Sequence, residues 1–199
     1  MLNNIVIRNY RNIENLSLNS LGRVNLIAGK NNTGKSTLLE AIAILMNGSV
    51  SALIESLKER GEYFRESVRD YSDSKNLSSL SIDILSSLFY KHATVVNGDN
   101  PIILEDGEGK SMCIRLVYFI VEEQNLPEGQ VTKKRVFVDE NTPGGNLCLE
   151  IITDEGVSIL KLEDIFRYSF SIRKSSASDN IQFVRTRNIN SEENSRLWD

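Results

Sequence analysis

The residues best equipped for chemistry lie in one run, Gly29-Lys30-Asn31-Asn32-Thr33-Gly34-Lys35-Ser36. It satisfies G-x-x-x-x-G-K-[ST], the Walker A pattern of a loop that binds nucleotide phosphates. Its glycines allow the tight turn through which successive backbone N–H groups converge on phosphate oxygens. A helix opening near Lys35 adds unpaired N–H groups and the positive end of its dipole. Lys35 is then placed to reach the β- and γ-phosphates, the Ser36 hydroxyl to hold Mg²⁺, and Thr37 to touch the α-phosphate. This is the chemistry of a nucleotide-binding site.

Such a loop works only when a strand leads into it and a helix leaves it. Arg23-Val-Asn-Leu-Ile-Ala28 reads as a short apolar strand running into Gly29. Ser36 to Met46 carries Leu38, Leu39, Ile42 and Leu45 at helical spacing, with Asn47-Gly48 as the stop. Upstream, residues 4–10 alternate apolar and polar as a half-buried strand does, and Leu16-Ser17-Leu18 follows within hairpin distance. Residues 1–48 are therefore strands, loop and helix.

Two amphipathic helices are expected in a helical insert at 50–95. One spans Ser51 to about Tyr71 (Leu53, Ile54, Leu57, Phe64, Val68, Tyr71) and the other Leu77 to Phe89 (Leu80, Ile84, Leu85, Leu88). His92, the single histidine, reads as a surface or loop residue. From Pro101 the pattern changes to short strands separated by Gly-bearing turns, at Pro101–Leu104, Met112–Val121, Val131–Val138, Asn146–Thr153 and Val157–Leu160. Residues 101–162 thus form a second antiparallel section. Residues 163–199 are a return segment ending in the start of a helix, with Asn190 or Ser191 as its cap. Barely two turns follow, so the expectation is a truncated chain.

The 199 residues hold 23 Lys+Arg against 27 Asp+Glu, a net charge of −4, with 40% apolar residues. That composition excludes a disordered chain and a strongly basic nucleic-acid coat. No run approaches the roughly 18–20 apolar residues of a membrane helix, and Met1–Arg8 lacks the pattern of a signal peptide. The expected setting is the reducing cytoplasm, with Cys113 and Cys148 as free, buried thiols outside any metal-like spacing.

The stretch Ile5-Val-Ile-Arg-Asn-Tyr-Arg-Asn-Ile, then Val24-Asn-Leu-Ile-Ala-Gly-Lys-Asn-Asn-Thr-Gly-Lys-Ser-Thr-Leu-Leu-Glu-Ala-Ile, resembles the N-terminus of ABC-type ATPases of the RecF, SMC and OLD-nuclease kind. The tail, Phe183-Val-Arg-Thr-Arg and Asn194-Ser-Arg-Leu-Trp-Asp, resembles small bacterial AAA/ABC-like ATPases, some of which sit beside nucleases in phage-defence loci. The resemblance implies an α/β fold: an incomplete P-loop NTPase of ABC type, with an N-terminal antiparallel β-subdomain, the helical insert and the second antiparallel section. It implies Mg²⁺–ATP as ligand, sandwiched between the heads of a homodimer or higher homo-oligomer, with association driven by ATP and released by hydrolysis. A nuclease effector and DNA enter as partners on the same ground, and a membrane does not. Arg11 would approach a phosphate, Tyr10 would stack on adenine, and Gln182 would link metal and γ-phosphate.

A complete head of this kind also carries a signature motif, a Walker B strand with its catalytic Glu, and a switch His in its second half. No S-G-G/S-G-E/Q signature occurs here, which leaves the catalytic residues unassigned and predicts binding of ATP with little turnover by these residues alone. Val136-Phe-Val-Asp139-Glu140 imitates Walker B but reads as a meander strand ending in a turn. Asp106-Gly-Glu-Gly109 imitates a GTPase motif but sits at a hairpin turn. Arg8, Lys133-Lys134-Arg135, Arg185 and Arg187 read as solvated charge. Two rivals stay open: a nucleotide-gated regulatory module for a nuclease, and, with less support, a P-loop kinase or GTPase.

Overall fold

The computed structural model describes residues 2–60, 84–93, 100–125, 131–139 and 141–161. Its elements are β1 (Ile5–Tyr10), β2 (Ile13–Leu18), α1 (Lys35–Asn47), α2 (Val50–Glu59), a 3₁₀ turn at Tyr90–His92, β3 (Ile102–Glu105), β4 (Ser111–Asn125), β5 (Val131–Val138), β6 (Asn146–Thr153) and β7 (Gly156–Lys161). The strands form one antiparallel sheet in the order β2-β1-β3-β4-β6-β7, with β5 paired to β4 off that path.

The N-terminal hairpin and the section after Pro101 are therefore joined in one sheet, because β3 pairs with β1 (Ile7 opposite Leu104). At 15 residues, β4 is long enough to serve three neighbours. It pairs β3 through 111–114, β6 through 112–119 and β5 through 118–125.

One face of the sheet is the core. Ile5, Ile7, Ile102, Leu104, Met112, Ile114, Leu116, Leu149 and Ile151 are buried there with Leu38, Ala41, Ile44 and Leu45 of α1. Those helix positions recur every three or four residues, which gives α1 one apolar stripe to lay on β1 and β3. The helix ends where Gly48 takes the left-handed conformation (φ 62°) and its N–H bonds the Ile44 carbonyl. Lys110, from the β3–β4 turn, donates Nζ–H to the Met46 carbonyl at 2.6 Å, a cation at the negative end of the helix. Both devices hold α1 at a set height on the sheet.

The strand expected at 23–28 does not form. The segment is irregular, and Val24 and Leu26 are 91% and 93% exposed. Strands persist by pairing, and both edges of β1 are already taken by β2 and β3. Phe89, expected at the end of a helix, is instead extended (φ −91°, ψ 148°) and forms an isolated bridge with Tyr10. The first insert helix matches α2 as far as Glu59, while residues 61–83, including most of the second, lie outside the described residues. The same holds for 162–199, hence for Gln182, Arg185, Arg187 and the terminal helix start.

Candidate functional site

Helix α1 opens without a side-chain cap. Its N-cap is Gly34, left-handed at φ 90°, and no acidic residue lies in the first turn. The Leu38 N–H bonds the Gly34 carbonyl at 2.9 Å, which leaves the N–H groups of Lys35, Ser36 and Thr37 ahead of the first helical bond. Ser36 is exposed at this end. An uncapped, acid-free N-terminus preceded by an exposed glycine loop is a cradle for an anion.

Lys35 closes over this loop. Its ammonium is folded back over the loop, donating to the carbonyls of Gly29 at 2.8 Å and Lys30 at 2.5 Å. Thr33 Oγ1 donates to the Lys30 carbonyl at 2.9 Å, which tightens the same turn. Asn32 adopts φ 63°, a conformation asparagine tolerates better than most residues. The Lys35 ammonium and the Thr33 hydroxyl thus fold the loop back on the carbonyls of Gly29 and Lys30.

Behind the loop sits a charge cluster that the sequence did not announce. Glu40 of α1 is 4% exposed and takes two arginines. Arg11 Nε lies 3.2 Å from Oε2, and Arg60 Nε lies 2.7 Å from Oε1. Tyr10 donates its hydroxyl to Oε2 at 3.5 Å and accepts from Arg11 Nε at 3.2 Å. Arg60 Nη2 also donates to Thr37 Oγ1 at 3.3 Å. A carboxylate buried this deeply needs such partners, and shared between two guanidinium groups it ties α1 to the β1–β2 turn and to the end of α2.

These contacts redirect three expectations. Tyr10 is fully buried in the core, so its ring is no exposed platform for adenine. Burial is the main reason its hydroxyl pKa is raised above the usual value, helped by Glu40 and opposed by Arg11. Arg11 turns its guanidinium inward to Glu40, away from solvent. Thr37 is 4% exposed with its hydroxyl facing Arg60, so a contact to the α-phosphate would come from its backbone N–H. Glu40 had one legible signal, an acid in the apolar Leu38-Leu39-Glu40-Ala41-Ile42 run four residues after Ser36. Arg60 had none.

The imitations resolve as turns and strands. Asp106 caps the β3–β4 turn, its Oδ1 accepting from the N–H of Glu108 at 2.7 Å and of Lys110 at 3.0 Å. Asp139 follows β5, which pairs with β4 and not with β1 or β3 beneath α1, and its carbonyl accepts from Thr142 N–H at 3.0 Å. Lys133, Lys134 and Arg135 are exposed on β5, opposite Glu123, Glu122 and Val121 of β4. His92 is exposed, Cys148 is buried, and Cys113 is half-buried rather than buried; neither cysteine is in a disulfide. Burial, the main cause, raises the Cys113 pKa.

A model of the AAA ATPase domain matches residues 1–198. The uncharacterized protein MJECL10 of Methanocaldococcus jannaschii is 40% identical over 97 residues, 45% of this chain and 44% of its own. An ATP/GTP phosphatase of Helicobacter pylori is 31% identical over 131 residues, 66% of this chain and 32% of its own. The DNA replication and repair protein RecF of Syntrophotalea carbinolica is 30% identical over 149 residues, 70% of this chain and 37% of its own. The chain thus spans less than half the length of these curated relatives. The motif, its placement at the start of α1 and the match along nearly the whole chain agree: the chain belongs to the AAA ATPase domain family, as an ABC/AAA-like P-loop ATPase domain with similarity to RecF.

Proposed function

We propose that the 29–37 loop binds Mg²⁺–ATP, and that hydrolysis follows once signature and Walker B segments complete the site. ATP then acts as a switch that joins two heads in a homodimer or higher homo-oligomer in the cytoplasm. The observation that carries the reading is Lys35, whose ammonium rests on two loop carbonyls beside an uncapped helix N-terminus. A polyphosphate offers that ammonium better acceptors, since charge-assisted hydrogen bonds exceed neutral ones. The residues fit the implied metal as well: Ser36 supplies a hard, exposed oxygen at the helix start, and Mg²⁺ bound there would neutralise phosphate charge. Each other group works by position. Backbone N–H groups of Lys35, Ser36 and Thr37 hold phosphate oxygens, and the Glu40 cluster keeps α1 seated while they do so.

What the switch controls is proposed from the relatives. The RecF proteins named for DNA replication and repair support a DNA-linked role. A nuclease effector with an anti-phage role is the more specific form of it, and rests on the resemblance of the tail, Phe183-Val-Arg-Thr-Arg and Asn194-Ser-Arg-Leu-Trp-Asp, alone. Isothermal titration of the complete gene product with Mg²⁺–ATP tests the binding step. Wild type should bind, and Lys35→Ala should lose at least about tenfold, the worth of one charge-assisted hydrogen bond. Equal affinity in both would sink the reading. Sedimentation with and without ATP then tests the switch, which predicts a heavier species only with nucleotide.

A further inference from the structure

We propose that Asn12, in the turn between β1 and β2, is a further phosphate-contacting residue of the nucleotide site, an inference that rests on the ATP reading above. Asn12 belongs to no part of the Walker A run, yet its exposed carboxamide lies against Gly34, where the loop becomes the helix. A Cβ on Gly34 would stand 3.2 Å from Asn12 Nδ2 and 3.3 Å from Oδ1. Glycine is favoured at 34 by φ 90°, and a Cβ there would press on the neighbouring amide, which would have to give by a few tenths of an ångström.

The placement of Asn12 is held from beneath. Arg11, the residue before it, has φ 54°, an unfavourable conformation for an arginine. Its N–H bonds the Leu88 carbonyl at 2.8 Å, and its guanidinium is buried against Glu40 of α1. The turn is thus pinned to the helix whose first-turn N–H groups face the loop. The pinned turn sets the neighbouring carboxamide at Gly34, the residue from which α1 starts. An asparagine offers two N–H donors without charge, and the first turn of α1 contains no acid. An added neutral donor suits a polyphosphate, whereas a carboxylate at the same spot would repel it.

The test compares Asn12→Ala and Asn12→Asp with wild type in the complete gene product, by titration with Mg²⁺–ATP and with AMP. Asn12→Ala should weaken ATP several-fold. The near-isosteric Asn12→Asp should weaken it by about tenfold or more, since it replaces a donor with a charge of the ligand's own sign. The penalty should be smaller for AMP, and thermal midpoints should stay at the wild-type value. Wild-type ATP affinity in both variants would overturn the proposal. So would equal losses accompanied by a lowered midpoint, which would mark Asn12 as a packing residue of the turn. Failure of the ATP reading looks different: wild type would not bind ATP, or Lys35→Ala would bind as well as wild type. Binding lost in Lys35→Ala but kept in both Asn12 variants would remove Asn12 alone.

Discussion

Strand β1 and the segment 23–28 make an instructive pair. Both are short and largely apolar: Ile5-Val-Ile-Arg-Asn-Tyr10 in one case, Arg23-Val-Asn-Leu-Ile-Ala28 in the other. The first is a strand with Ile5, Ile7 and Tyr10 wholly buried. The second has no strand pairing, and only Ile27 reaches the core while Val24 and Leu26 face solvent. Composition does not separate them. Neighbours do, because β1 has β2 on one side and β3 on the other, and apolar residues count toward a strand only where a face is covered. The Walker A loop is therefore hung between a weak lead-in and a firmly held helix.

The comparison can be broken at the helix first. Glu40→Ala strands Arg11 beneath the turn and should cost about 3–5 kcal/mol, the range for uncovering a buried ion pair. Chemical denaturation reads it, and a loss under about 1 kcal/mol would mean that the arginines find other partners. Next is β1 itself: Ile7→Ala should lose about 2–5 kcal/mol through the cavity left in the core. A smaller effect comes from Tyr10→Phe, at about 0.5–1.5 kcal/mol for the hydrogen-bonding hydroxyl.

That variant also carries a pH signature. The folded Tyr10 pKa is raised, so above the ordinary value near 10 the unfolded chain releases the proton first. The folded state then holds more protons, and stability falls as pH rises from there. Tyr10→Phe should flatten that alkaline decline, and an unchanged slope between pH 9.5 and 11 would show that Tyr10 is not its source. Least costly is Leu26→Ser, within about 0.5 kcal/mol, since its side chain is 93% exposed. Hydrogen exchange sharpens the same contrast: amides of 23–28 should exchange freely while those of β1 and the centre of β4 are protected. Protection across 23–28 would mean that the segment is paired in solution.

Much of the fold was readable because its signals are local. Alternation located β1, Gly-bearing turns bounded β5 and β6, and the Asn47-Gly48 stop located the end of α1. The Asp106 and Asp139 imitations were readable as turns for the same reason, since short-range hydrogen bonds shape them. The charge cluster was not readable. Glu40 meets Arg60 across 20 residues and Arg11 across 29, and no periodicity links such positions. On this account the Tyr10 ring is buried and offers no stacking platform, and the Thr37 hydroxyl faces Arg60, which leaves the Thr37 backbone N–H at the helix start.

Covalent order alone set the Walker A run: a glycine loop, a lysine, a serine and a helix start in one unbroken stretch, where spacing along the chain sets the geometry. Tertiary structure decided everything that depends on a neighbour. It joined the two antiparallel sections through β1 and β3, denied 23–28 a strand and buried Tyr10. It also placed Asn12 against Gly34. The physical reason is common to all four. Backbone pairing and burial are properties of what lies alongside a residue, and the chain's own order does not state what that will be.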